Sequence, residues 1–147
     1  MKKKCCCGGP SILLFPCAGG SDVGALTDRV ARKLTQDGWG RIYCLAGVAA
    51  HLSSLLESAK AAKKVVAIDG CPTLCATKAL IHAGFQPIGI SLKELGFMKG
   101  NSPISEENIN KICDWIKNHS PIENDDSKKS GVRYKIDCCG NPDKETK

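Results

Sequence analysis

Short apolar runs recur along the chain at Ile12-Leu-Leu-Phe15, Arg41-Ile-Tyr-Cys-Leu45, Val65-Val-Ala-Ile68 and Pro87-Ile-Gly-Ile90. Each run is shorter than a helix needs, and three of the four meet Gly or Pro within two residues of their end, so they read as buried strands. Between them the apolar residues return at helical spacing instead. Val23, Leu26, Val30 and Leu34 form one stripe, Leu52, Leu55 and Leu56 a second, and Ala76, Leu80 and Ile81 a third. Ile109, Ile112, Cys113 and Ile116 form the last. Stop and start signals agree with this division. Ser21-Asp22 and Ser105 offer capping oxygens, Pro72 suits a first helical turn, and Gly38, Gly40 and Gly84 follow helix ends. The helix after the second strand is expected over His51–Lys60.

Strands that alternate with helices imply a parallel sheet covered on both faces. Right-handed crossovers then narrow the choice to a single α/β domain with a doubly wound, mostly parallel sheet, flavodoxin-like or Rossmann-like. The pattern assigns residues 11–119 to this domain. It leaves 1–10 as a cysteine-rich tail and 120–147 as a polar linker and tail carrying Cys138 and Cys139. Val132, Tyr134 and Ile136 alternate, which predicts a short edge strand before Asp137.

Composition changes this picture at one point. The 147 residues are 42% hydrophobic and 24% charged, ordinary for a globular domain, but ten are cysteines. The apolar run after Lys2, Lys3 and Lys4 is only Ile12–Phe15, short of the roughly 7–15 residues of a secretory signal. No stretch reaches the ~20 apolar residues of a membrane span. A reducing cytoplasm is therefore expected, where clustered thiols more often mean metal or catalysis than crosslinks. The net charge of +6 owes half to the three N-terminal lysines, and only 5% of residues are aromatic. That argues against a nucleic-acid partner, since neither a basic stripe nor stacking surface is present.

Cys17 follows the first strand, Cys44 ends the second and Cys71 follows the third, so a parallel sheet carries all three to its carboxyl edge. If strand one lies between two and three, neighbours stand ~4.8 Å apart. Tetrahedral zinc with Zn–S near 2.3 Å needs sulfurs roughly 3.8 Å apart, which that edge can supply. Cys75, expected one helical turn beyond Cys71, would complete a four-thiol set at the switch point, facing two helix amino ends. Packing of the thiols as small hydrophobes is the alternative. Both zinc and an iron–sulfur cluster accept four thiolates. A redox pair is weakly supported, because Cys71-x-x-x-Cys75 exceeds the C-x-x-C spacing. Phosphoryl chemistry is weaker still, with Val23 where a thiol phosphatase loop needs arginine.

These cysteines stand in segments that resemble the DGC-domain proteins, a family often labelled zinc-binding and named for the triplet Asp69-Gly70-Cys71. The matching segments are Cys17-Ala-Gly-Gly-Ser-Asp-Val-Gly24, Cys44-Leu-Ala-Gly47, Ile68-Asp-Gly-Cys-Pro-Thr-Leu-Cys75 and Leu95-Gly-Phe-Met-Lys99. The resemblance spans about residues 12–100 and implies a zinc site at Cys17, Cys44, Cys71 and Cys75. It implies no particular reaction and assigns no catalytic residue.

The expected function is a zinc protein whose metal is structural or regulatory, with a role in metal or thiol handling. A closed four-ligand site leaves no open position for water. The competing readings are a thiol oxidoreductase or metal-dependent enzyme using one labile cysteine, or an iron–sulfur protein. Asp69 is the candidate to orient the Cys71 turn from behind, against simple turn capping. His51 is expected exposed or capping, His82 too far along its helix to join the thiols, and Cys113 part of the core. Cys5, Cys6, Cys7, Cys138 and Cys139 lie outside the resemblance; their clustering suggests an accessory metal or thiol site.

Overall fold

The structure, a computed structural model, describes residues 12–119 together with the backbone of 134–136 and 142–144. Strand β1 (Ile12–Pro16) leads to helix α1 (Asp22–Gln36) and the two-residue strand β2 (Arg41–Ile42). Helices α2 (Leu45–Ala49) and α3 (Ser53–Lys60) precede β3 (Lys64–Asp69), α4 (Cys75–His82) and β4 (Ile88–Ser91). A 3-10 turn (Leu92–Leu95) and α5 (Glu106–His119) follow. The strands form one all-parallel sheet in the order β2-β1-β3-β4, the flavodoxin-like doubly wound arrangement. Strands β5 (Tyr134–Ile136) and β6 (Pro142–Lys144) pair antiparallel as a separate ribbon. The strand expected from the alternation at Tyr134 and Ile136 thus forms, but pairs away from the main sheet.

Alternate residues of the central strands face opposite ways, and each set is buried. Ile12, Leu14, Val66 and Ile68 pack beneath α1 and α5, against Val23, Leu26, Val30, Leu34, Ile112 and Ile116. Leu13, Phe15 and Ala67 face the other layer, with Val48, Ala59, Ala76 and Leu80. Strands covered on both faces need continuous apolar sequence, which is why β1 reads as an unbroken run. Cys113 is fully buried in the first layer, and burial pushes its thiol up to about 11. Truncating a contact such as Leu34 to Ala would cost about 2–5 kcal/mol by leaving a cavity.

Three boundaries differ from expectation. Strand β2 stops at Ile42, although Tyr43 still donates its N–H to Leu14 O at 2.9 Å, and Cys44 caps α2 instead of ending a strand. The helix expected over His51–Lys60 forms as α3 but begins only at Ser53, because His51 adopts a left-handed φ of 55°, and the short helix α2 precedes it where no helix was expected. The helix expected from Pro72 begins only at Cys75. Leu74 has φ 55° and ψ 47°, a left-handed conformation that no helix passes through.

Candidate functional site

The chain crosses from β2 past β1 to reach β3, so the loops leaving β1 and β3 part at the switch point. Cys17 N–H donates to Ile68 O at 2.9 Å, and Gly70 N–H donates to Cys17 Sγ at 3.4 Å, which ties the first thiol to the Asp69-Gly70-Cys71 turn. Gly70 sits so close to α1 that an added Cβ would lie 2.7 Å from Val23 O and 2.8 Å from Val23 C. Only glycine fits between these backbones. The loop after β1 turns equally tightly. A Cβ on Gly24 would strike the backbone of Gly19, and Ser21 caps α1 by accepting the Gly24 N–H.

Thr27 is the functional residue that the sequence reading missed. It is fully buried; its hydroxyl donates to Gly24 O at 2.7 Å and accepts the Ala18 N–H at 3.2 Å. Its Oγ1 also lies 3.5 Å from Cys17 Sγ. The signal was a hydroxyl inside the Val23–Leu34 stripe, beside Val23 and Val30 on one helix face. Ala18 itself has a φ of 44°, so each of Cys17 and Cys75 neighbours a non-glycine residue held left-handed. Backbone strain of this kind collects at functional sites.

Asp69 ends β3 only 1% exposed. Its carboxylate accepts the Ala76 N–H at 2.7 Å, the Thr77 N–H at 3.1 Å and the Thr77 hydroxyl at 2.7 Å. Leu74, in the capping position of α4, has no side-chain acceptor to offer, so Asp69 satisfies the open amides from seven residues upstream. Burial pushes the Asp69 carboxyl above the usual carboxylate range, and the bonds from Thr77 and Ala76 oppose that push. The triplet therefore divides its labour: Asp69 caps α4, Gly70 admits α1 and Cys71 presents a thiol.

Cys17, Cys44 and Cys75 line one open cleft of about 760 Å³, walled by Tyr43, Arg41 and the Arg32–Asp28 ion pair. Cys44 is exposed at the start of α2 and accepts the Gly47 N–H at 3.3 Å. Cys75 is exposed at the start of α4. Burial pushes its thiol up, the negative charges of Asp69, Cys17 and Cys71 add to the effect, and Lys78 opposes it. Cys71 does not line the cleft; it is half-buried and packs toward the α1/α5 layer. Cys71 and Cys75 are also not on one helical face, since a turn separates them. Among the described residues no three His, Cys, Asp or Glu side chains form a group that could hold a metal ion as they stand. The donor set itself, all thiols at one sheet edge, suits a thiophilic ion such as zinc. Holding an ion requires these thiols to turn toward one another.

His51 and His82 are exposed, and the structure brings them together at the far ends of α2 and α4. Cys5, Cys6, Cys7, Cys138 and Cys139 lie outside the described residues. Among the described residues no helix is long and apolar enough to cross a membrane.

A doubly wound α/β domain with cysteines in the segments that follow three of its parallel strands defines the class: a cysteine-rich α/β domain protein. The DGC domain matches residues 13–116, and the chain belongs to that family. It is 30% identical over 91 residues to the anaerobic and virulence modulator AnvM of Pseudomonas aeruginosa, an alignment covering 61% of this chain and 70% of the relative. No solved structure gives a significant match.

Proposed function

We propose that this protein binds zinc through Cys17, Cys44, Cys71 and Cys75 and that the metal is structural or regulatory, with a role in metal or thiol handling. The observation that carries this reading is the shared cleft: three thiols from three separate segments of the chain open onto it. Four thiolates gathered at this edge would repel one another, and a divalent cation would offset that repulsion. Bound there, zinc would supply a crosslink between the ends of β1 and β3 and the starts of α2 and α4. Asp69, Thr27 and Gly70 are the positioning residues. Asp69 holds the Cys75 helix start from behind, while Gly70 and Thr27 hold the Cys17 sulfur directly.

Cys75 is the weaker candidate for an enzymatic nucleophile, because burial and neighbouring charge push its thiol up. The relative's description as an anaerobic and virulence modulator is compatible with a regulatory role for an oxidation-sensitive thiolate site. The test uses the 147-residue chain with Cys5, Cys6, Cys7, Cys138 and Cys139 replaced by Ser, purified without added metal. About one zinc per chain by elemental analysis is expected, falling sharply in Cys17→Ser, Cys44→Ser or Cys75→Ser. Visible iron–sulfur absorption, or no retained metal, would overturn the assignment.

A further inference from the structure

Helices α2 and α4 pack side by side; a thiol stands at the start of each, Cys44 capping α2 and Cys75 opening α4, and a histidine stands at or just beyond the end of each. His51 follows α2 and His82 is the last residue of α4. Both are exposed, their rings cross at 73°, and His51 Nε2 lies 3.3 Å from His82 Nδ1. Two nitrogens bound ~2.0–2.1 Å from one tetrahedral zinc stand about 3.3–3.4 Å apart, so the pair already has the spacing of neighbouring ligands.

The backbone supplies a second, independent observation. Both helices end in the same reverse turn. After α2, His51 N–H donates to Val48 O and Leu52 N–H to Gly47 O; after α4, Gly84 N–H donates to Ile81 O and Phe85 N–H to Leu80 O. The left-handed residue of such a turn is usually glycine, which has no Cβ to strain. Helix α4 follows that rule with Gly84 at φ 88°, whereas α2 puts His51 there at φ 55°. A turn that glycine would complete without strain instead carries an imidazole directed at His82.

We propose that His51 and His82 form a second, surface metal site for a divalent transition ion of the zinc class, with water completing its coordination. Imidazole nitrogens suit such ions. In the metal-free pair one ring donates its N–H to the other. Binding needs that proton to move through solvent to the outer nitrogen of the same ring, which leaves both inner nitrogens as neutral ligands. The site is independent of the thiol site and does not rest on it.

The test is a zinc titration of the reduced 147-residue chain with the cysteines at 5–7, 138 and 139 replaced by Ser, already equilibrated with one equivalent of Zn²⁺, at about pH 7.5, where free imidazoles are largely neutral. Imidazole proton NMR resolves the three histidines separately. His119, stacked on Trp115, serves as the internal control. His51 and His82 signals should move together and saturate while His119 stays still. His51→Asn, which keeps a residue tolerant of the left-handed turn, and His82→Ala should each weaken this step by roughly 10–100-fold through loss of chelation. Retention of the first zinc equivalent reports the thiol site separately. Absence of a saturating shift, movement of all three histidines alike, or unchanged affinity in either variant would overturn the proposal.

Discussion

Replacing Asp69 by Ala removes the acceptor for three donors at once and leaves the start of α4 uncapped. The Thr77 hydroxyl can rotate to another acceptor, but the amides of Ala76 and Thr77 cannot. Both residues are fully buried, and each unsatisfied buried amide costs about 1–3 kcal/mol. Removing a desolvated carboxylate offsets part of that loss, so a net destabilisation of about 2–4 kcal/mol is expected. Against a total of roughly 5–15 kcal/mol for a domain, this is a large fraction. Asp69→Asn keeps one oxygen for Ala76 but turns an NH₂ toward Thr77, and should cost about half as much, ~1–2 kcal/mol. The pH dependence separates the two states of the carboxyl. Burial raises the folded pKa of Asp69 above its unfolded value of 3.8, so its titratable contribution is fully present below that pH. It declines as pH rises through the folded pKa, and Asn lacks this slope. The gap between wild type and Asp69→Asn should therefore narrow on alkalinisation. Urea unfolding followed by the fluorescence of Trp39 and Trp115 measures the stabilities, and hydrogen exchange at the buried Ala76 and Thr77 amides measures fraying of α4. A change below about 0.5 kcal/mol in both variants, with exchange at those amides unchanged, would refute the capping role.

Gly70→Ala should cost about 1–3 kcal/mol, because its Cβ meets the backbone of Val23 instead of a side chain that could turn away; a urea midpoint equal to wild type would be inconsistent with that contact. Thr27→Val keeps the shape but leaves the Ala18 amide without its acceptor, so a loss of about 1–3 kcal/mol and faster labelling of Cys17 are expected. Asp22 accepts the Gly100 and Ser102 amides at 2.9 Å each, and those bonds hold its carboxyl below the usual carboxylate range. Its stabilising contribution is thus present above pH 3.8 and lost as pH falls through the folded pKa; hydrogen exchange at Gly100 and Ser102 should quicken with acid, and Asp22→Asn should remove that dependence. Replacing the five cysteines at 5–7 and 138–139 by Ser should leave tightly held zinc unchanged while abolishing a weaker binding step, as read by calorimetric titration.

Most of the fold was legible because a doubly wound sheet writes itself plainly. Strands such as Ile12–Phe15 must be apolar on both faces, and the helices between them keep a one-sided stripe. The order of the strands entered only as a condition, strand one between two and three; the structure meets it, and with it Cys17 meets the Asp69-Gly70-Cys71 turn. The errors have a common physical origin. Pro72 fits a first helical turn as far as local chemistry goes, yet the left-handed Leu74 delays α4 to Cys75, and a Leu in that conformation has no local signature. The same delay separates Cys71 from the cleft that the other three thiols share. His51 delays α3 to Ser53 for a similar reason, and its meeting with His82 depends on two helices packing, which neither sequence segment states. Thr27 was passed over because a hydroxyl in an apolar stripe satisfies the helical pattern without announcing what it bonds.

Strand β1 lies inside the sheet, with β2 on one side and β3 on the other. During synthesis it is made before either neighbour. At about 5–20 residues per second, the 53 residues from Pro16 to Asp69 take roughly 3–10 s. Through that interval the most apolar strand of the domain has no complete partner surface, and the Cys17 thiol lacks the Gly70 amide that later holds it. A nascent chain of this topology is therefore vulnerable to chaperone capture and premature oxidation at the segment around which the finished domain is built.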